Sequence, residues 1–177
     1  MALLPILEAP HPILSQKARM VETTEFGSDL VQLLNDMAET MYDAPGVGLA
    51  APQIGDSRRI LVADPSNNDD GDIPTLYKMV NPTIISKSTA LISYEESCLS
   101  VPEFYLNVKR FEQLTLEWKD GMGVTHLDVF TGFSAIVLQH EMDHLEGITL
   151  LDKSSKFKRS RYISKVKKQR KRTKARR

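Results

Sequence analysis

Cysteine occurs once in this 177-residue chain, at Cys98. A single thiol excludes an intrachain disulfide and suits a reducing compartment. Long apolar runs are missing as well: nothing approaches the roughly 20 residues that a membrane-crossing helix requires. The opening stretch MALLPILEAPHPIL has no basic region before its apolar residues, which Pro5, Pro10 and Pro12 interrupt. It does not read as a secretory leader. These absences predict a cytoplasmic protein without a membrane partner. Histidine is scarce, with four residues, which restricts the possible metal-ligand sets. The last absence is local. Residues 153–177 contain no Asp or Glu but 14 of the 23 Lys and Arg, whereas all 23 acids precede them. A formal charge of zero therefore conceals an acidic body, residues 1–152, and a basic tail, residues 153–177.

Within the body, Leu30, Val31, Leu33, Leu34, Met37 and Met41 recur at helical spacing. They predict an amphipathic helix over about residues 26–43, ended by Pro45-Gly46. A glycine-rich stretch follows. Strand-like segments then lie at 58–64, 78–86, 90–96, 114–118 and 124–130, with SNNDDGDI after Pro65 as a polar surface loop. Thr131-Gly132 opens a second helix, FSAIVLQHEMDHLE, which Gly147 stops. The order helix, strands, helix predicts an α+β fold, with antiparallel or mixed sheet packed around a central helix. In the tail, Ser154 or Ser155 can cap a helix with a patchy apolar side made by Phe157, Tyr162, Ile163 and Val166.

The second helix carries the chemistry. QHEMDHLEG, residues 139–147, contains H-E-x-x-H. At i and i+4 on a helix, His140 and His144 share one face and can reach one metal ion, with Glu141 beside it. Phe133, Ile136 and Val137 lie on that face too, so the histidines should point inward. Asp143 and Glu146 read as solvated or supporting carboxylates. A third ligand cannot come from downstream, where only Glu146 and Asp152 remain and histidine is absent. Upstream stand His11, His126, many carboxylates and Cys98. His126 alternates into a strand's polar positions, and His11 lies between two prolines. Cys98 offers the softest strong donor, and a thiolate with two imidazoles and an open fourth position is a known catalytic set.

Three stretches together, GVGLAAPQIG (46–55), ESCLSVP (96–102) and QHEMDHLEG (139–147), resemble in order and spacing the signature motifs of the peptide deformylases. The resemblance covers roughly residues 1–150. It implies a deformylase-like catalytic domain over 1–152 that hydrolyses the formyl group from N-formylmethionine at the start of nascent polypeptides. It also implies Cys98, His140 and His144 as ligands of one divalent ion, Fe(II) in the cell, replaceable by zinc or nickel. Glu141 would then handle the proton, while the Gln53 amide and the Leu99 backbone N–H would stabilise the developing oxyanion. Val47 and Gly48 would bracket the peptide, and Ile136 and Val137 would wall the methionine side chain. The near-match of Gly46-x-Gly48-x-x-Ala51 to a dinucleotide loop is set aside, because it follows a helix rather than a strand.

One departure from the family pattern stands before the cysteine. Ser97 replaces the usual glycine, and it is harmless if the backbone there is extended. Similar deformylases carry a C-terminal helix that docks on the ribosome, so the basic tail implies a ribosomal or rRNA partner for an expected monomer. Two other readings remain open from the residues: a general H-E-x-x-H metallopeptidase, and a ribosome- or RNA-binding protein with a structural metal.

Overall fold

The computed structural model describes residues 2–66 and 75–174; most of the expected loop, residues 67–73, lies outside them. In chain order the elements are α1 (Ser28–Asp43), β1 (Gly48–Ala50), β2 (Ile60–Ala63), β3 (Tyr77–Lys87), β4 (Leu91–Cys98), β5 (Val101–Phe111), β6 (Gln113–Lys119), β7 (Thr125–Thr131), α2 (Gly132–Leu145) and α3 (Lys156–Lys174). The strands form a five-stranded sheet, order β1-β2-β3-β6-β7, and a separate β4–β5 pair. Every named strand pair is antiparallel. The predicted α+β class stands, and its sheets resolve to antiparallel.

The five-stranded sheet is covered on both faces. On one, Leu61, Ala63 and Met79 meet Ala135, Val137, Leu138 and Met142 of α2. On the other, Ile60, Val62 and Val80 meet Leu30, Leu34, Met37 and Met41 of α1. This explains the uninterrupted apolar run ILVA in β2: alternate side chains enter opposite layers, so none faces water. Burial of one such Leu or Met contributes on the order of 2 kcal/mol. In a third cluster, Tyr162 and Val166 of α3 join Leu14, Cys98, Val101, Val108, Leu150 and Leu151.

Helix α2 starts directly from β7, with Thr131 at its N-cap and Gly132 at φ 56°. Gly147, at φ 73°, ends the segment; a Cβ there would stand 2.9 Å from the backbone of Ser15 and Gln16. A side chain would thus be strained by both conformation and contact. The histidines of α2 point inward as expected, and burial extends beyond their face. Leu138, Met142 and Leu145 are buried as well as Ile136, Val137 and His144, so the helix is enclosed on nearly all sides.

Strand β5 is absent from the sequence expectations because its inward positions are not all apolar. Val108 and Arg110 are both buried, and the arginine interrupts the alternation that marks a strand. Strand β1 lies hidden in the glycine-rich stretch, followed by a short 3-10 turn over Ala51–Ile54.

Candidate metal centre

Cys98 closes β4, and the antiparallel register places it opposite Val101. Helix α2 presents His140 and His144 one turn apart, with ring centroids separated by 5.1 Å. One ligand atom from each of the three residues lies within 4.8 Å of the others, and among the described residues this is the one such group of His, Cys, Asp or Glu. Cys98 Sγ stands 3.2 Å from His144 Nε2. Burial pushes the Cys98 thiol up, but the charges and hydrogen bonds of His144 and His140 draw it down to about 5. A buried thiolate beside two imidazoles, with a cavity before it, is a donor set that fits a divalent transition metal.

The other upstream histidines lie elsewhere. His11 is exposed and caps the turn at Pro12–Ser15 through its ring, 3.4 Å from the Ile13 N–H. His126 is not simply solvated. It stacks on Trp118, with centroids 4.2 Å apart, and is about 37% exposed, with its ring 3.5 Å from Asp120.

Behind the histidines runs a chain of ion pairs, buried at Glu96 and Arg110 and partly exposed at Asp143 and Lys153, that the motif alone does not reveal. His140 Nδ1 stands 2.8 Å from Glu96 Oε2. Arg110 donates to both oxygens of the same carboxylate, at 2.7 and 2.8 Å. Its remaining arm donates to Asp143 at 2.5 Å, and Asp143 also pairs with Lys153 at 2.9 Å. Burial raises the Glu96 carboxyl, yet Arg110 and His140 hold it down at about 2. Glu96 therefore fixes the His140 ring with its Nε2 directed away from the carboxylate, the usual way a protein orients an imidazole ligand. The readable signal was the spacing of Glu96, two residues before Cys98 on a strand and so on the same face.

In front of the histidines lies a cavity of about 480 Å³. Val47, Gly48, Gln53, Cys98, Leu99, Ile136, Val137, His140 and Glu141 all line it, and His144 sits buried beneath. Gln53 is anchored at its oxygen by the Ala50 N–H at 2.8 Å, and its amide nitrogen reaches Ser100 Oγ at 3.2 Å and Cys98 Sγ at 3.8 Å. Glu141 Oε2 is buried and has no hydrogen-bond partner among the described residues. Burial raises its carboxyl to about 7, against the pull of the two histidines. A Cβ at Gly48 would stand 2.7 Å from Glu141 Cδ, so glycine makes room for this carboxylate. Ser97 lies in β4, and among the described residues only Asn81 and Glu103 are non-glycine residues at positive φ. Serine is accommodated there without backbone strain.

Comparison with known proteins agrees with this architecture. A family model described as polypeptide deformylase matches residues 3–160. The peptide deformylase of Zymomonas mobilis is 44% identical, over 97% of this chain and 97% of that protein. A crystal structure of a peptide deformylase from Legionella pneumophila superposes with a TM-score of 0.84 at 41% identity, covering 99% of both chains. Another from Ehrlichia chaffeensis, in complex with actinonin, gives 0.87 at 36% identity, covering 96% of this chain and 98% of that one. With its motifs brought to one cavity and its relatives matched end to end, the chain belongs to the polypeptide deformylase family.

Proposed function

We propose that the chain is a metal-dependent hydrolase that removes the formyl group from N-formylmethionine at the start of nascent polypeptides. The carrying observation is the cavity that brings the Cys98–His140–His144 group beside a carboxylate oxygen with no hydrogen-bond partner among the described residues. Cys98, His140 and His144 would hold the divalent ion, which would supply Lewis acidity near the attacking water. Glu141 takes a proton from the attacking water and delivers it to the departing amine. Burial raises its carboxyl above the ordinary carboxylate range, toward the range in which a group can both take up and release a proton. The Gln53 amide, fixed through Ala50 and Ser100, and the N–H of Leu99 donate to the formyl oxygen as it becomes charged. Val47 and Gly48 flank the peptide backbone; Ile136 and Val137 take the methionine side chain. One chain supplies every group used, which suits a monomer.

The test is turnover of a short formylmethionyl peptide by metal-loaded protein, beside its acetylated and unblocked counterparts. Selective hydrolysis of the formyl form supports the assignment. Cleavage of the unblocked peptide would favour a general metallopeptidase instead.

Gly48→Ala should lower kcat by about 100-fold, since the added methyl displaces Glu141 and misplacement near 1 Å carries that cost. Steady-state kinetics with a thermal melt would separate this from unfolding.

The native ion on this reading is Fe(II), which accepts a thiolate and two imidazoles as zinc and nickel do. The iron-loaded protein should lose activity on storage in air through oxidation of metal or thiolate. Retained turnover after aerobic storage would count against iron.

We assign catalysis to residues 1–152 and anion binding to 153–177. Among the described residues no helix is long and apolar enough to cross a membrane, and the reduced thiol suits the cytoplasm. The cations of α3 favour a phosphate-rich partner, the ribosome. Truncation near Lys153 should abolish ribosome co-sedimentation, and in the full chain that binding should fall steeply as salt rises. Unchanged co-sedimentation after truncation would remove the tail's role.

A further inference from the structure

Near the substrate cavity, the β4–β5 register jumps from Glu96↔Leu106 to Cys98↔Val101. The intervening residues of β5 bulge toward α3, as strands often do beside active sites. Pro102 and Glu103 within this bulge line the substrate cavity on one side. On the other they line a second cleft of about 450 Å³, between Glu8 and one face of α3. That face is held against the body by Tyr162 and Val166, with Tyr162 packed edge-on to Phe104 at 5.5 Å.

The two spaces differ in charge. Among the described residues the first is lined by Glu95, Glu96, Glu103 and Glu141 with no Lys or Arg, whereas in the second Lys165 and Arg170 stand beside Glu8 and Glu103. Lys165 pairs with Glu103 at 2.6 Å on the shared rim, and Arg170 reaches the Glu8 carbonyl at 3.4 Å.

A formylated N-terminus belongs to a longer chain, so the rest of that chain must leave the first cavity over some part of its rim. We propose that it leaves over Pro102–Glu103 and lies in the second cleft, which forms a distal subsite for extended peptide. Acidic side chains several residues from the formylmethionine are favoured there by Lys165 and Arg170. This rests on the deformylase reading and extends its substrate from a terminal residue to a segment.

The experiment compares kcat/KM for a formylmethionyl tripeptide with that for peptides of about nine residues, about 30 Å when extended. Their distal halves are either acidic or basic. Wild-type protein should prefer the acidic long peptide to the tripeptide by about three- to tenfold, the gain expected of one or two exposed ion pairs, and mainly through KM. Lys165→Glu with Arg170→Glu should erase that ratio and transfer the preference to the basic peptide. The same reversal at Lys167 and Lys171, on the opposite side of α3, should leave the ratio in place. Should the cleft variant not fold, the wild-type ratio measured at about 1 M salt serves in its stead, and it should approach unity. A wild-type ratio of one overturns the proposal, as does an equal response to both pairs of substitutions or a ratio insensitive to salt. Failure to turn over the tripeptide at all would instead overturn the deformylase assignment.

Discussion

Glu141→Gln should bind its metal as the unsubstituted protein does and yet lose about three orders of magnitude in kcat. The amide is nearly isosteric with the carboxylate, so the space opposite Gly48 remains filled and the fold is undisturbed. What disappears is an oxygen able to hold a proton between the attacking water and the leaving amine. Glu141 is not one of the three clustered donors, so metal content should be conserved. The paired measurement is metal per chain beside single-turnover hydrolysis. Loss of metal in parallel with activity would make Glu141 a ligand or a structural support, and the proposed proton path would fall.

Arg110→Met carries the second large effect, and this one is on stability. Arg110 is about 5% exposed and satisfies both oxygens of Glu96, itself about 4% exposed at the side chain. Removing the cation leaves a buried carboxylate with only His140 as partner, and breaking such a pair costs about 3–5 kcal/mol. Part of that cost should be recovered by Glu96→Leu in the same chain, because two apolar residues of similar volume need no compensation. The double variant should nevertheless bind metal about 10- to 100-fold more weakly, since His140 has lost the group that orients its ring. Denaturant melts of the apo-protein and metal titrations distinguish the two effects. If the single variant is as stable as the parent, the ion-pair chain is not a structural support.

How far these features could be read from the residues depended on whether their order was local. Helix α1 announces itself because apolar residues recur on one face, and it begins at Ser28, two residues after the expected start. The Cys98, His140 and His144 group was accessible through motif spacing and donor chemistry, although strand and helix lie more than forty residues apart. Strand β5 was not, because the pattern that marks a strand assumes that inward means apolar. Arg110 satisfies the inward position through Glu96 and Asp143, partners contributed by two other elements. Gly48 is expected to flank the peptide, but the neighbour for which it makes room is Glu141, which periodicity cannot identify. His126 looked solvated from alternation; its stacking on Trp118 depends on the β6–β7 register.

On the proposed reading, the enclosure of α2 also bears on how an ion held by Cys98, His140 and His144 would be lost. A helix packed on nearly every side has little scope to fray, since partial opening would expose several apolar layers together. Both histidines therefore reside in a segment whose backbone amides should exchange with solvent only through global opening. Ion release through local melting is closed to such a design, and departure must proceed through the cavity mouth or accompany cooperative collapse of the whole molecule.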